Sequence, residues 1–204
     1  MLLARIKEAL SSLYEDIQEI QEAPEAAEAA EEVETAAADA APAEDAQPEE
    51  SPAEQKESDS EEASEEAEEP PAPPGPRETD YKTKGYHLDA ALPPEKVVAA
   101  AEILSQQGFF IEAITGVDWI DEQQLEVVYD FNHFDELCRV VIRSRLDRNE
   151  PEIPTISHIY QGANWHERET HDFFGIIFTG HPNLEPLLLP EDADFHPLLK
   201  DFKA

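Results

Sequence analysis

The chain has 204 residues, with 48 Asp and Glu against 14 Lys and Arg, a formal net charge of −34 and one cysteine. That charge argues against a direct grip on DNA or RNA, where Lys and Arg must displace condensed counterions, and the lone Cys138 supports neither an internal disulfide nor a four-thiolate metal site. No apolar run approaches the ~20 residues that span a bilayer, and the opening MLLARIKEAL lacks a small-residue cleavage site, so the reducing cytoplasm is the expected compartment.

Residues 1–22 read as an amphipathic helix. Leu3, Ile6, Leu10, Leu13, Ile17 and Ile20 recur at alternating three- and four-residue steps, which stacks them on one face. Such a stripe suits docking on a partner or self-association first, and packing back on its own domain second. Only Arg5 and Lys7 are basic, too few to favour an anionic lipid surface. Residues 23–78 form an Ala/Glu/Pro-rich stretch expected to be a disordered linker. Within it, positions 23–76 hold 19 acidic residues and one lysine, Lys56, and no aromatic residue. Low hydrophobicity with charge of one sign leaves little to offset the entropy of ordering. A flexible coil of that length spans ~40 Å, and self-repulsion lengthens it.

Residues 79–204 have the composition of one folded domain. Pro93-Pro94 precedes a helix carrying Val97, Val98, Ala101 and Leu104 on one face, with Gly108 at its end. FFIEAITGV follows as a β-rich run. LEVVYDF alternates Leu125, Val127, Tyr129 and Phe131 against Glu126, Val128 and Asp130, which is strand period. LCRVVIRSRL sets Cys138, Val140 and Ile142 against Arg139, Val141 and Arg143, and NHFDE between the two suits a hairpin turn. Paired this way, Glu126 and Asp130 face Arg139, Arg143 or Arg145 across the ladder. The fold class is therefore α+β, a helix on a mainly antiparallel sheet. Beyond Pro154 the spacing predicts a short turn, a break at Gly162 and a second helix capped by Asn164 that runs to Phe174 and stops at Gly175. Pro182, Pro186, Pro190 and Pro197 then stud an extended, irregular tail that needs a surface to lie on.

The densest chemistry is NWHERETHDFFG. His166 and His171 stand at i and i+5, about 500° apart around a helix, so they do not make the i, i+4 pair of a zincin. Glu167 with His171, or Glu169 with Asp172, could share a face, which keeps a carboxylate–His metal site conceivable. A salt-bridge cluster involving Arg168 fits the residues better. No Gly-rich phosphate loop and no GxSxG elbow is present. Cys138 falls at an inward strand position and reads as a small core residue, and His181 and His196, each before proline, read as turn residues that bond locally or to a partner. Trp165, Phe173 and Phe174 read as packing anchors. An acidic domain with a charged helix and a proline-studded tail describes an interaction subunit, Arg168 and the aromatics being the types that dominate interfaces.

TGVDW (115–119), LEVVYDF (125–131), ISHIYQGANWHERETHDFFGIIFTGHPNL (156–184), LLLPED (187–192) and HPLLKDF (196–202) strongly resemble the 30-kDa-type subunit of respiratory complex I, the bacterial NADH:quinone oxidoreductase. The match spans roughly Tyr81 to Phe202 and leaves residues 1–80 uncovered. The resemblance implies a non-catalytic subunit of the peripheral arm of a proton-translocating complex, with no cofactor of its own. NADH, FMN, iron–sulfur clusters and quinone then belong to the assembled complex. Its expected partners are the 49-kDa-type subunit near the quinone pocket and other peripheral-arm subunits. It would reach the membrane's cytoplasmic face only through them, and nucleic acid is not a partner.

The interface and signature residues carried over are Trp165, Glu167, Arg168, Glu169, Asp172, Phe174, Gly175, Gly180, His181, Pro182, Lys200 and Asp201. The chain departs from the family pattern at three places. Glu185-Pro186 and Leu199 stand where arginines are common, and Ala193-Asp194-Phe195 replaces a Trp/Gly-containing stretch. The homologous subunit of a membrane-bound [NiFe] hydrogenase, or of a ferredoxin- or other-donor relative, is the second reading. A free-standing metal-dependent enzyme using Glu167, His171 and Asp172 is a distant third.

Overall fold

A computed structural model describes residues 1–22 and 75–203, with backbone alone for 15–22. The expected linker lies, for residues 23–74, outside the described residues. Met1–Ala23 and Pro73–Ala204 together form one compact unit.

The elements run α1 (Leu2–Glu22), β1 (Arg77–Glu78), α2 (Tyr81–Lys84), β2 (Leu88–Ala91), α3 (Val97–Gln106), β3 (Phe109–Trp119), β4 (Gln124–His133), β5 (Arg139–Asp147), β6 (Glu152–Pro154), α4 (Ala163–Phe174) and β7 (Ile177–Thr179). Five strands make one sheet in the order β1-β2-β5-β4-β3, while β6 and β7 pair separately and in parallel. The sheet is antiparallel except where β2 lies parallel to β5, so the α+β expectation of a mainly antiparallel sheet holds. The strand β2 has no counterpart in the periodicity reading. It is four residues long, two of them Ala, too short and weakly apolar to stand out before β5 is there to pair with it.

Alternation does the sorting. Leu125, Val127, Tyr129 and Phe131 of β4 join Val140, Ile142 and Leu146 of β5 in the buried cluster, with Leu88 and Ala90 of β2. On the opposite face charges pair across the ladder. Glu126 stands opposite Arg145, with Arg145 Nε 3.6 Å and Arg143 Nη1 3.7 Å from its carboxylate, and Arg139 lies 3.6 Å from Asp130 and 3.2 Å from Glu112. Cys138 is buried, and burial together with nearby Glu136 pushes its thiol up, so it stays an uncharged core residue.

Helix α1 differs from the partner-docking expectation. Ile6, Leu10, Leu13 and Tyr14 are buried in the chain's own core, where α1 meets α3 and β2. The Tyr14 hydroxyl donates to the Ala91 carbonyl at 2.7 Å, and Lys7 pairs with Glu78 at 2.8 Å. The reason is geometric. α3 covers only part of the sheet, and β2, next to the short edge strand β1, needs an apolar neighbour on the same face. The second helix is also corrected at its start, since Gly162 rather than Asn164 occupies the cap position and no side chain caps it. Gly175 closes it as expected, at φ +76°, with its N–H on the His171 carbonyl.

Because α1 is part of the core, Leu10→Ala should destabilise the isolated chain by about 2–4 kcal/mol in urea denaturation. A helix reserved for a partner would leave the midpoint unchanged. Residues 24–72 join two parts of one unit, and Glu22 lies about 22 Å along the helix axis from Lys7. Replacing 24–72 by ~12 Gly/Ser residues therefore spans the gap and should raise stability by about 1 kcal/mol through the shorter loop closure.

Candidate functional site

The signature residues converge on α4 and the tail that follows it. The face of α4 turned to the sheet carries Ala163, Glu167, Thr170 and Phe174 at steps of four, three and four. Gly116 of β3 admits the Phe174 ring so closely that a Cβ there would sit 2.4 Å from it. Thr170 donates from its hydroxyl to the Ile114 carbonyl at 3.3 Å. A residue with any side chain at 116 would push α4 off the sheet.

Glu167 is fully buried in this seam. One carboxylate oxygen accepts the Ile156 N–H at 2.8 Å, and the other takes the Thr155 hydroxyl. The His181 ring, its side chain also covered, brings Nε2 to 3.7 Å from the same carboxylate. His181 Nδ1 accepts the Asn183 N–H, so a neutral ring carries its proton on Nε2, which lies 3.3 Å from the Asn164 carbonyl. Burial raises the Glu167 carboxyl to about 7, against the opposing pull of the Thr155 and Ile156 hydrogen bonds. Burial lowers the His181 pKa, so near neutral pH the pair is a neutral imidazole beside a half-protonated acid rather than an ion pair.

Two further carboxylates hold the tail. Asp172 Oδ2 accepts three consecutive backbone N–H groups, those of Leu187 at 2.9 Å, Leu188 at 2.7 Å and Leu189 at 3.2 Å. Burial opposes its charge, but those three donors outweigh it and hold the carboxyl below the ordinary range. Arg168 binds the tail from the other direction, donating to the carbonyls of Glu185 and Pro186 at 2.9 Å each, with its guanidinium 5.6 Å from the Trp165 ring centroid. Farther on, His196 donates from Nδ1 to the Asp172 carbonyl at 2.8 Å and packs on Gly175, where a Cβ would meet its ring at 2.8 Å. The last clasp is Asp118, paired with Arg148 through two bonds of 3.0 and 3.1 Å and accepting the Lys200 N–H at 2.8 Å. Arg148 also reaches Asp201 at 2.6 Å. Burial disfavours the Asp118 charge, yet Arg148 and Lys200 hold its carboxyl low.

The structure thus divides the expected residue set. Glu167, Asp172, Phe174, Gly175 and His181 fix α4 and the tail from within. Lys200 contributes its backbone and Asp201 its carboxylate. Trp165 is 60 % exposed and is not the internal packing anchor its type suggests. With Pro182 and Gly180 it borders a surface cleft of about 480 Å³. Arg168 bonds to backbone carbonyls, not to a salt-bridge cluster. Glu169 is half-buried on the helix. Arg148 lies outside every quoted motif, and Asp118, though within TGVDW, is not among the expected site residues; the available signal was a lone acid at an inward strand position, in register with Ile114 and Gly116. Glu167, His171 and Asp172 do not converge, since their atoms are taken by Thr155 and Ile156, by the Ile176 carbonyl, and by the tail amides. Among the described residues no group of three or more His, Cys, Asp or Glu is arranged to hold a metal ion.

Residues 90–204, more than half of the chain, match the family model described as the 30-kDa subunit of the respiratory-chain NADH dehydrogenase. The chain belongs to this family. A relative from Roseiflexus sp. (strain RS-1), the C-type subunit of its NADH-quinone oxidoreductase, is 42% identical over 119 residues, covering 56% of this chain and 68% of its own. The C-type subunit of the F(420)H(2) dehydrogenase of Methanosarcina mazei is 40% identical over 93 residues, 45% of this chain and 59% of that protein. Among solved structures, a chain of the membrane-bound sulfane sulfur reductase, an archaeal respiratory membrane complex, superposes with a TM-score of 0.52 at 30% identity, covering 57% of this chain and 71% of that one. In this family member the two departures at arginine positions have structural places. Glu185 and Pro186 offer backbone carbonyls to Arg168, and Leu199 packs against the core.

Glu167 keeps its proton in the folded chain up to about pH 7 but loses it near 4.5 when unfolded. Between those values the folded state binds more protons, so this group's contribution to stability declines as pH rises from 4.5 to 7, by about 3 kcal/mol. Urea denaturation at pH 5 and pH 8 should show that decline, and Glu167→Gln should flatten it. Asp172→Ala should cost about 2 kcal/mol of tail attachment. Limited proteolysis should then cut within residues 185–203 while the far-UV CD of the domain persists.

Proposed function

We propose that the chain is a structural subunit of the peripheral arm of a proton-translocating NADH:quinone oxidoreductase, offering α4 and the tail to the 49-kDa-type subunit near the quinone site. The observation that carries this is a set of exposed apolar side chains, one on α4 and the others on an irregular segment that its own domain holds in shape. Trp165, Leu188, Phe195, Leu198 and Phe202 are all exposed, while the backbone beneath them is pinned by Asp172, Arg168 and Asp118. A preformed apolar surface of this kind lowers the ordering cost of association. Electron transfer to quinone is then supported by position, not by a redox group on this chain. NADH, FMN, iron–sulfur clusters and quinone would be held elsewhere in the complex. The donor set agrees, since one buried cysteine cannot ligate a cluster. Among the described residues no helix is long and apolar enough to cross a membrane; in the proposal the chain reaches the cytoplasmic face through its partner subunits.

A second reading keeps the same surface and changes the electron donor. It is favoured by the 40% identity to the F(420)H(2) dehydrogenase protein and by the likeness to the sulfane sulfur reductase chain. A membrane-bound [NiFe] hydrogenase belongs to the same class of alternatives.

Leu188→Asp with Leu198→Asp should abolish co-purification with the 49-kDa-type subunit from detergent-solubilised membranes while leaving the thermal midpoint of the isolated chain within about 1 kcal/mol equivalent. Arg168→Glu should weaken the same association by releasing the tail. Unchanged co-purification of both variants overturns the assignment of this surface.

A further inference from the structure

The turn between β4 and β5 is built with more care than a hairpin needs. His133 Nδ1 accepts the N–H groups of both Asp135 and Glu136, at 3.2 and 3.1 Å. A ring nitrogen that accepts is unprotonated, so the neutral ring bears its proton on Nε2, placed 3.1 Å from the Gln107 carbonyl. Gly108, at φ +84°, leaves room for that ring, and Phe109 meets it edge-on at 5.1 Å. The loop is thereby locked to the turn between α3 and β3. What it displays is unusual for a turn, where Gly, Asn, Asp and Pro are the common residues. Phe134 is 75 % and Leu137 67 % exposed, with Asp135 and Glu136 between them. The Phe134 ring rests on Phe110, with centroids 4.5 Å apart. Nothing in the fold requires two large apolar side chains at this tip.

We propose that this tip is a second docking element, which inserts Phe134 and Leu137 into an apolar pocket rimmed by Lys or Arg on another protein subunit. Aromatic and aliphatic anchors on a preorganised loop supply affinity, and the acidic pair between them selects a cationic rim. The same two charges oppose an anionic lipid surface and nucleic acid, and a second copy of this tip would set acid against acid. The tip is separate from the clasped end of the tail. It lies at the His133 end of β4, whereas Asp118 and Lys200 lie beside the Gln124 end, roughly 30 Å away along the strand.

The inference rests on the reading of the chain as a subunit of a larger complex, and one experiment separates the two. A photo-crosslinking residue, p-benzoylphenylalanine, is placed at Phe134 or at Leu198 in the full chain assembled in its native membrane complex. The expected result is a crosslink from position 134 to a protein subunit, at a site with Lys or Arg beside apolar residues. Asp135→Lys with Glu136→Lys should lower its yield about five-fold and leave the 198 crosslink intact. A crosslink from 198 alone overturns the tip proposal and spares the subunit reading. Crosslinks from neither position overturn both. A crosslink from 134 to lipid or to a second copy of this chain overturns the proposed occupant.

Discussion

Asp172 accepting three successive tail amides is the interaction on which the rest of the working surface depends. A backbone with four prolines in its last thirty residues builds little secondary structure of its own, and its N–H groups need partners. One buried carboxylate on α4 supplies three of them, and Arg168, one turn earlier, takes the carbonyls just upstream. The helix thus acts as a bracket that reads the polarity of the tail chain, acid to amides and guanidinium to carbonyls. Because these bonds go to backbone, side chains such as Leu188 and Leu198 are left free to face outward.

The bracket itself is set by the seam beneath it. Gly116 lets Phe174 close on β3, and Glu167 ties α4 to the segment after β6 through Thr155 and Ile156. A carboxylate buried there is costly unless hydrogen-bonded or protonated, and both remedies are in use. Charge therefore does different jobs in different parts of this chain. The excess in residues 23–76 belongs to the stretch that joins α1 to β1. Most acids of the folded unit lie at its surface, but those buried around α4 and β3 are committed: Asp118 to Arg148, Glu167 to Thr155, Asp172 to the tail.

Much of the fold was legible in the sequence. Strand alternation in LEVVYDF and LCRVVIRSRL placed the hairpin and its charged face, and helical periodicity placed α1 and α3, because those periods reflect local backbone geometry that holds in any context, while the glycines at 162 and 175 bracketed α4. The short strand β2 was not legible, since four residues with two alanines make a strand only beside β5. Nor was the fate of α1. An apolar stripe states that it must be covered and leaves open by what. The alternatives of partner, self and membrane collapsed only when α3 and β2 offered a matching surface.

The site was legible as a motif and opaque as a mechanism. The sequence by itself determined the family, the helix that carries Glu167, Arg168 and Asp172, and the fact that a proline-rich tail follows, because residue type and spacing carry that information. Only the tertiary structure decided that the tail lies on its own domain, that Glu167 and Asp172 work inward while Trp165 and Leu198 face out, and that Asp118 and Arg148 belong to the same surface. The physical reason is that hydrogen-bond partners 15 to 82 residues apart are chosen by the packing of α4 and β3, and no local period encodes that choice.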